Sequence, residues 1–182
     1  MKLRHGLIAI GFALALSCSS SGRLAPRVEA GAEVQHRFAA IRGPKTGVSL
    51  FVVERTWTSN TARILVNHTP LFVAVRNDGS EPVRYRTEDF VLWIGDHEYE
   101  AVPLGRLLKH SEPGIVEKRM AETLGMRGAT LEPGGIEDGY LFFRRKLEGK
   151  EKLEDVEISL SLFDPRHEEI LEAIRIPLVV VE

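Results

Sequence analysis

The sequence predicts an all-β fold: a sandwich of two packed sheets, about seven short strands, with one short helical insert. Three observations carry this. Apolar residues recur with period two over 48–53, 71–76, 156–162 and 174–180, the pattern of strands that bury one face. Turn-forming residues separate the runs, at Asn77-Asp78-Gly79-Ser80, Gly95-Asp96 and Asp164-Pro165. One interval, 104–128, breaks the β pattern with helical spacing.

Before the strands comes an address. Lys2 and Arg4 precede an apolar run from Gly6 to Leu16. A secretory signal has this layout, a basic start and an apolar centre of about 7–15 residues ending in small residues. The run is too short to span a bilayer, which takes roughly 20 apolar residues. It ends in Ala15-Leu16-Ser17-Cys18, and Cys18 is the single cysteine of the chain. An unpaired cysteine in an exported protein calls for a use. The segment resembles a bacterial lipoprotein signal peptide, which implies cleavage after residue 17 and lipid modification of Cys18. It departs from that pattern in having Ala15 where leucine is usual, with Leu14 and Leu16 on either side. Acyl chains contribute about 0.8 kcal/mol per buried CH₂, so several on one residue anchor firmly. Ser19 after the cysteine implies, by the same resemblance, an outer-membrane address. Residues 18–46, rich in small residues with Pro26 and Pro44 as breaks, read as a flexible tether that stands the domain clear of headgroups. Glu33–Ile41 is the one stretch in it with the makings of a short helix.

The domain proper is expected over 47–182. Val48, Leu50 and Val52 form one face of the first strand, and Ile64-Leu65-Val66 is a short apolar run. Leu71, Val73 and Val75 alternate up to the Asn77 turn, whose Asn, Asp and Gly tolerate tight-turn geometry. Val83 and Tyr85 continue beyond it. Phe90–Ile94 is apolar on both faces, as a central strand would be, and places Trp93 in the core with Phe90, Phe142 and Phe143. His97–Val102 returns as its hairpin partner. Within the insert, Leu107, Leu108, Ile115, Val116, Met120 and Leu124 keep helical spacing, and Pro113-Gly114 divides it into two short helices. Ser111 can cap the second, with Pro113 in its first turn. The last two strands carry Val156, Ile158, Leu160 and Leu162, then Ile174, Ile176, Leu178 and Val180, turned by Asp164-Pro165.

From Leu71 to Asn77, through Gly79, Glu81-Pro82-Val83, Asp89-Phe90 and Glu98-Tyr99, and again at Leu131–Gly135 leading into Tyr140–Phe143, the chain resembles DUF4352-like domains of bacterial envelope proteins. The resemblance covers residues 50–162. It implies an immunoglobulin-like β-sandwich exported to the envelope, and it brings no catalytic residues. The helical insert at 104–128 departs from that pattern.

Chemistry-bearing patterns are sparse. Without Lys2 and Arg4 the mature chain has 22 basic and 26 acidic residues, net −4, against the strongly basic balance of a nucleic-acid binder. There is no Gly-x-Ser-x-Gly elbow, phosphate-binding glycine loop or Cys-x-x-Cys. His97 with Glu98 and Glu100 comes nearest to a metal constellation, but alternation sends His97 and the glutamates to opposite faces. Asp164, His167, Glu168 and Glu169 hold the residue types of acid–base chemistry in what reads as a polar turn. No cofactor is expected, and no enzymatic activity. Arg144-Arg145-Lys146 is a basic run suited to anionic headgroups; Arg84 and Arg86 form a smaller one. Ile115 and Met120, on the apolar stripe of the insert, are candidates for contact with another envelope protein. The reading is a non-enzymatic, membrane-anchored envelope lipoprotein, with a periplasmic small-ligand or metal-binding module as the alternative.

Overall fold

The computed structural model describes residues 22–27, 33–35, 38–55, 67–109, 124–148 and 153–181. Among them are twelve strands: β1 (Arg23–Pro26), β2 (Glu33–Gln35), β3 (Phe38–Arg42), β4 (Val48–Val53), β5 (Thr69–Asn77), β6 (Val83–Arg84), β7 (Phe90–Ile94), β8 (His97–Val102), β9 (Thr130–Leu131), β10 (Ile136–Phe143), β11 (Val156–Phe163) and β12 (Ile170–Val181). One helix, α1 (Leu104–Lys109), follows β8. Every pairing between named strands is antiparallel. The result is a nearly closed sandwich.

The first sheet runs β1-β12-β11-β7-β8 and the second β8-β10-β5-β4-β3-β2, so β8 belongs to both. Its first residues pair with β7, at His97↔Ile94 through Glu100↔Val91. Its last two leave for β10, at Ala101↔Phe143 and Val102↔Phe142. A strand that changes sheets makes the corner of a sandwich. The inward residues of both sheets form one core, in which Leu50, Val52, Val73 and Val75 meet Phe90, Leu92, Ile158, Leu160 and Ile176. Their alternation in sequence is the alternation of the pleat.

The opposite edge closes by a side chain. Here β12 lies against β3, and Glu172, on the inward face of β12, is only 8% exposed. Its carboxylate accepts the Lys45 amide at 3.2 Å, the Thr46 amide at 3.0 Å and the Thr46 hydroxyl at 2.6 Å. All three donors sit in the β3–β4 turn. Gly43 leaves the space: a Cβ there would lie 2.2 Å from Glu172 Oε2. Burial pushes the Glu172 pKa up, but the hydrogen bonds from Thr46 and Lys45 and the Lys45 charge outweigh it and hold the carboxyl below its ordinary range.

At the same end Asn77, fully buried, organises two turns. Its side-chain amide donates to the Glu81 and Leu131 carbonyls at 2.8 and 2.9 Å, and its side-chain oxygen accepts the Gly79 amide at 2.9 Å. Its backbone exchanges bonds with Gly134 and Gly135. The turn residues of the two sequence signals thus satisfy one another, as buried polar groups must.

Three expectations change. Residues 18–46 do not read as a tether throughout: β1 pairs with β12, β3 pairs with β4, and Leu24 and Ala39 are buried in the core. The 33–41 stretch contributes β2 and β3 in place of a helix. Trp93 faces outward, because register sets it opposite Glu157 and Glu98 while its neighbours Leu92 and Phe90 point in. Phe90, Phe142 and Phe143 are buried as expected. The run at 64–66 lies outside the described residues.

Replacing Glu172 with Ala removes three bonds to a buried carboxylate and is expected to destabilise the fold by about 2–3 kcal/mol, measured by urea titration. The lowered folded pKa means the Glu172 contribution is complete above the ordinary glutamate range and is lost as pH falls through the folded value. Glu172→Gln should flatten that acid limb of the stability profile.

Candidate functional site

The two ends of the sandwich differ in what they carry. One end is built from the loops at 43–47, 78–82, 132–135 and 164–169, tied together by Glu172 and Asn77. Arg42 donates to the Asp78 carbonyl, and Ser49 and Arg76 donate to its carboxylate at 2.9 Å each. Burial raises the Asp78 pKa; those hydrogen bonds and the Arg76 and Arg42 charges overcome it and lower it. At this end the side chains of Asn77, Asp78 and Glu172 are each held by several hydrogen bonds.

The other end is where the described chain starts. Gly22 donates its amide to the Leu147 carbonyl at 3.0 Å, and a Cβ on it would lie 2.9 Å from the Glu148 carbonyl carbon and oxygen. Arg23 pairs across to Val181 and reaches Glu54 at 3.8 Å. Arg144 and Lys146 are exposed beside this point, and Arg145 is half-buried. The strand ends fix the run in place: Arg145 donates to the Phe143 carbonyl at 2.7 Å, and its own carbonyl accepts the Thr69 hydroxyl. The Arg55 guanidinium lies 4.9 Å from the Phe72 ring centroid. The predicted basic run 144–146 therefore sits where the N-terminal segment enters the fold. Sequence spacing gave no sign of that juxtaposition, because residues 22 and 147 are far apart in the chain.

A second feature lies on the outer face of the first sheet. Trp93, Glu157 and Pro177 form a cross-strand row, and Arg175 stands beside it. A groove of about 520 Å³ is lined by Arg27, Trp93, Asp96, Asp155, Glu157 and Arg175 among others. Trp93 Nε1 donates to Ser159 Oγ at 3.0 Å, which ties the indole to β11. Arg175 bonds Glu157 at 2.7 Å, with its guanidinium 5.9 Å from the Trp93 ring. An ordered aromatic flanked by both charges can stack and hydrogen-bond a small polar molecule.

The insert packs on its own sheet over the described part. Leu104 and Leu108 of α1 are buried against Tyr140 and Phe142 on the outer face of β10, with Phe72, Leu107 and Leu124 beside them. Both faces of β10 are thus covered, which explains its run of aromatics. The returning segment is pinned by Thr87 Oγ1 to the Met126 carbonyl at 2.8 Å and by Glu137, which accepts the Arg127 amide at 3.0 Å and the Tyr85 hydroxyl at 2.6 Å. Burial and the Glu137 carboxylate push the Tyr85 pKa up. Ile115, Met120 and Cys18 lie outside the described residues.

The remaining candidates are dispersed. Arg84 reaches Glu168 at 3.0 Å and lies over Phe163, while Arg86 bonds Asp89. Asp164 accepts the Arg166 amide at 2.6 Å, closing the turn that carries His167. His97, Glu98 and Glu100 are exposed. Among the described residues no group of three His, Cys, Asp or Glu side chains gathers to hold a metal, and no helix is long and apolar enough to cross a membrane.

Over the described residues the protein is a mostly antiparallel, nearly closed β-sandwich with one short helix. Among solved structures it is similar to a protein of Bacillus subtilis subsp. subtilis str. 168 described as a "putative lipoprotein (ycdA)", at 12% identity and TM-score 0.41, over 84% of this chain and 39% of that one. It is also similar to a functionally unknown protein from Listeria monocytogenes EGD-e, at 12% identity and TM-score 0.42, over 90% and 88% of the two chains. The chain thus spans well under half the length of the Bacillus protein. No family model matches the chain, the DUF4352-like domain included, and no curated protein matches it.

The outward position of Trp93 is checked by comparing two truncations in denaturant. Phe90→Ala empties a core site and should cost about 3–5 kcal/mol, whereas Trp93→Ala should cost about 1 kcal/mol.

Proposed function

We propose that the protein is a non-enzymatic envelope lipoprotein, anchored through Cys18, whose sandwich serves a binding or accessory role close to the membrane. The observation that carries this reading is the N-terminal sequence: a basic start, a short apolar run, and the only cysteine at its end. The position of Gly22 against Leu147 supports it, since the fold takes up the chain four residues after Cys18. The finer address, the periplasmic face of an outer membrane, rests on Ser19 by resemblance. A protein partner in the envelope belongs to the same proposal. The charge balance supports the absence of nucleic acid among its partners.

Cys18→Ser tests the anchor. Metabolic labelling with an alkyne fatty acid should mark the parent chain and not the variant. After a high-salt wash the variant should leave the membrane fraction. A variant that stays membrane-bound with unchanged processing would refute the lipoprotein reading.

A second reading, a small-ligand module, is favoured by the Trp93 groove alone. Indole fluorescence of the wild type, screened against small polar ligands and compared with Arg175→Ala, tests it. A response that is the same in both chains removes the groove from consideration.

A further inference from the structure

We propose that the end of the sandwich carrying Gly22, Arg144 and Lys146 docks on an anionic phospholipid surface, so that the domain rides on the membrane in one orientation. This deepens the anchoring reading and rests on it.

The span decides the height. Each extended residue covers at most about 3.6 Å, so the four steps from Cys18 to Gly22 reach at most about 14 Å. A 28-residue tether would let the domain turn freely; four residues do not. Headgroups occupy several ångströms on each side of the hydrocarbon. Gly22 is itself fixed to the fold through Leu147 and the β1–β12 pairing. Whatever surrounds Gly22 therefore lies near the headgroups.

What surrounds it is basic on one side. Among the described residues, Arg23, Arg55, Arg144, Arg145 and Lys146 stand around the ends of β4, β5 and β10, against two acids, Glu54 and Glu148. Glu54 already faces Arg23 at 3.8 Å. Among the described residues, the other side of the same end, at the β7–β8 turn and before β11, carries the exposed acids Asp96, Glu154 and Asp155, with Arg27 beside them as the lesser, opposite charge. This division has a direction: an anionic surface attracts the second-sheet rim and repels the first-sheet rim. With a screening length of about 8 Å at physiological salt, only charges held this close to the headgroups act on them. The domain then tilts onto its second-sheet edge, and the outer face with Trp93 stays open to solvent. The loops at 43–47, 78–82, 132–135 and 164–169 point away from the membrane.

The test uses the processed, acylated protein in vesicles that carry a quencher on their headgroups. Once Cys18 is acylated, an introduced cysteine is the only free thiol. A fluorophore on Asn67→Cys reports the docked end, and one on Glu132→Cys reports the distal end; both positions are exposed. The Asn67 label should be quenched at least fivefold more than the Glu132 label. Twenty Gly/Ser residues inserted between Ser21 and Gly22 separate charge from tether length. The extended chain should keep its quenching on phosphatidylglycerol-containing vesicles and lose it on phosphatidylcholine. Adding Arg144→Glu and Lys146→Glu should weaken the anionic-vesicle contact by more than tenfold, since each basic residue near such a surface is worth about a fivefold change. Equal quenching of the two labels in an acylated chain overturns the orientation alone. An extended chain that ignores lipid charge overturns the electrostatic contact. A purified chain whose mass lacks acyl groups and which does not stay with vesicles overturns the anchoring reading, and this one with it.

Discussion

The carboxylate of Glu172 is the constraint on which the closed form of the sandwich depends. Two sheets need joining at both edges, and the edges are joined by different means. At one edge β8 passes from sheet to sheet and the backbone does the joining. At the other, β12 meets the β3–β4 turn with no strand in common, and three donors converge on one buried carboxylate. A buried charge is tolerated only when its hydrogen bonds are complete. The geometry that completes them needs Gly43, Thr46 and the turn between β3 and β4. The clasp therefore makes the N-terminal strands part of the domain, and Leu24 and Ala39 complete the core beneath them.

That integration links the fold to the proposed function. If residues 18–46 were loose, the lipid and the domain would be independent, and the surface chemistry of the domain would have no fixed relation to the membrane. With β1 paired to β12, the fold takes up the chain at Gly22, four residues after Cys18, the proposed lipid site. The asymmetry between the ends then acquires meaning. At one end Asn77, Asp78 and Glu172 are held by internal hydrogen bonds; the other shows charged rims beside the point where β1 begins. The Trp93 groove, on the outer face of the first sheet, is left clear by the same arrangement.

Much of the architecture was legible in the sequence. The strands at 48–53, 69–77, 156–163 and 170–181 follow from apolar alternation and turn chemistry, those at 90–94 and 97–102 from an apolar run and its hairpin turn, and the one at 136–143 was approached only through the resemblance at Tyr140–Phe143; Asn77 announced the turn it organises. What could not be read had physical reasons. Strands β1 and β3 are short, built on Leu24-Ala25 and Ala39-Ala40, and their small side chains look like linker composition. They are strands because β12 and β4 offer them partners, which is long-range information. Trp93 was misplaced because Phe90–Ile94 is apolar throughout, so period alone cannot choose a face. Its cross-strand neighbours Glu98 and Glu157 choose it, and they are visible only once register is known. The basic run 144–146 was visible as composition, but its meeting with Gly22 was not, since pairing across the sheets sets it. The insert's first helix was read correctly, and its packing on β10 follows from Leu104 and Leu108.

The central claim is that the folded domain includes Arg23–Pro26 and Phe38–Arg42 and does not wait until residue 47. Native-state hydrogen exchange on the mature protein tests it most directly. The account predicts that amides in 23–25 and 38–42 are protected by orders of magnitude, like those of β11 and β12. Exchange of these amides at the rate of an unstructured peptide, with β11 and β12 protected, would contradict it.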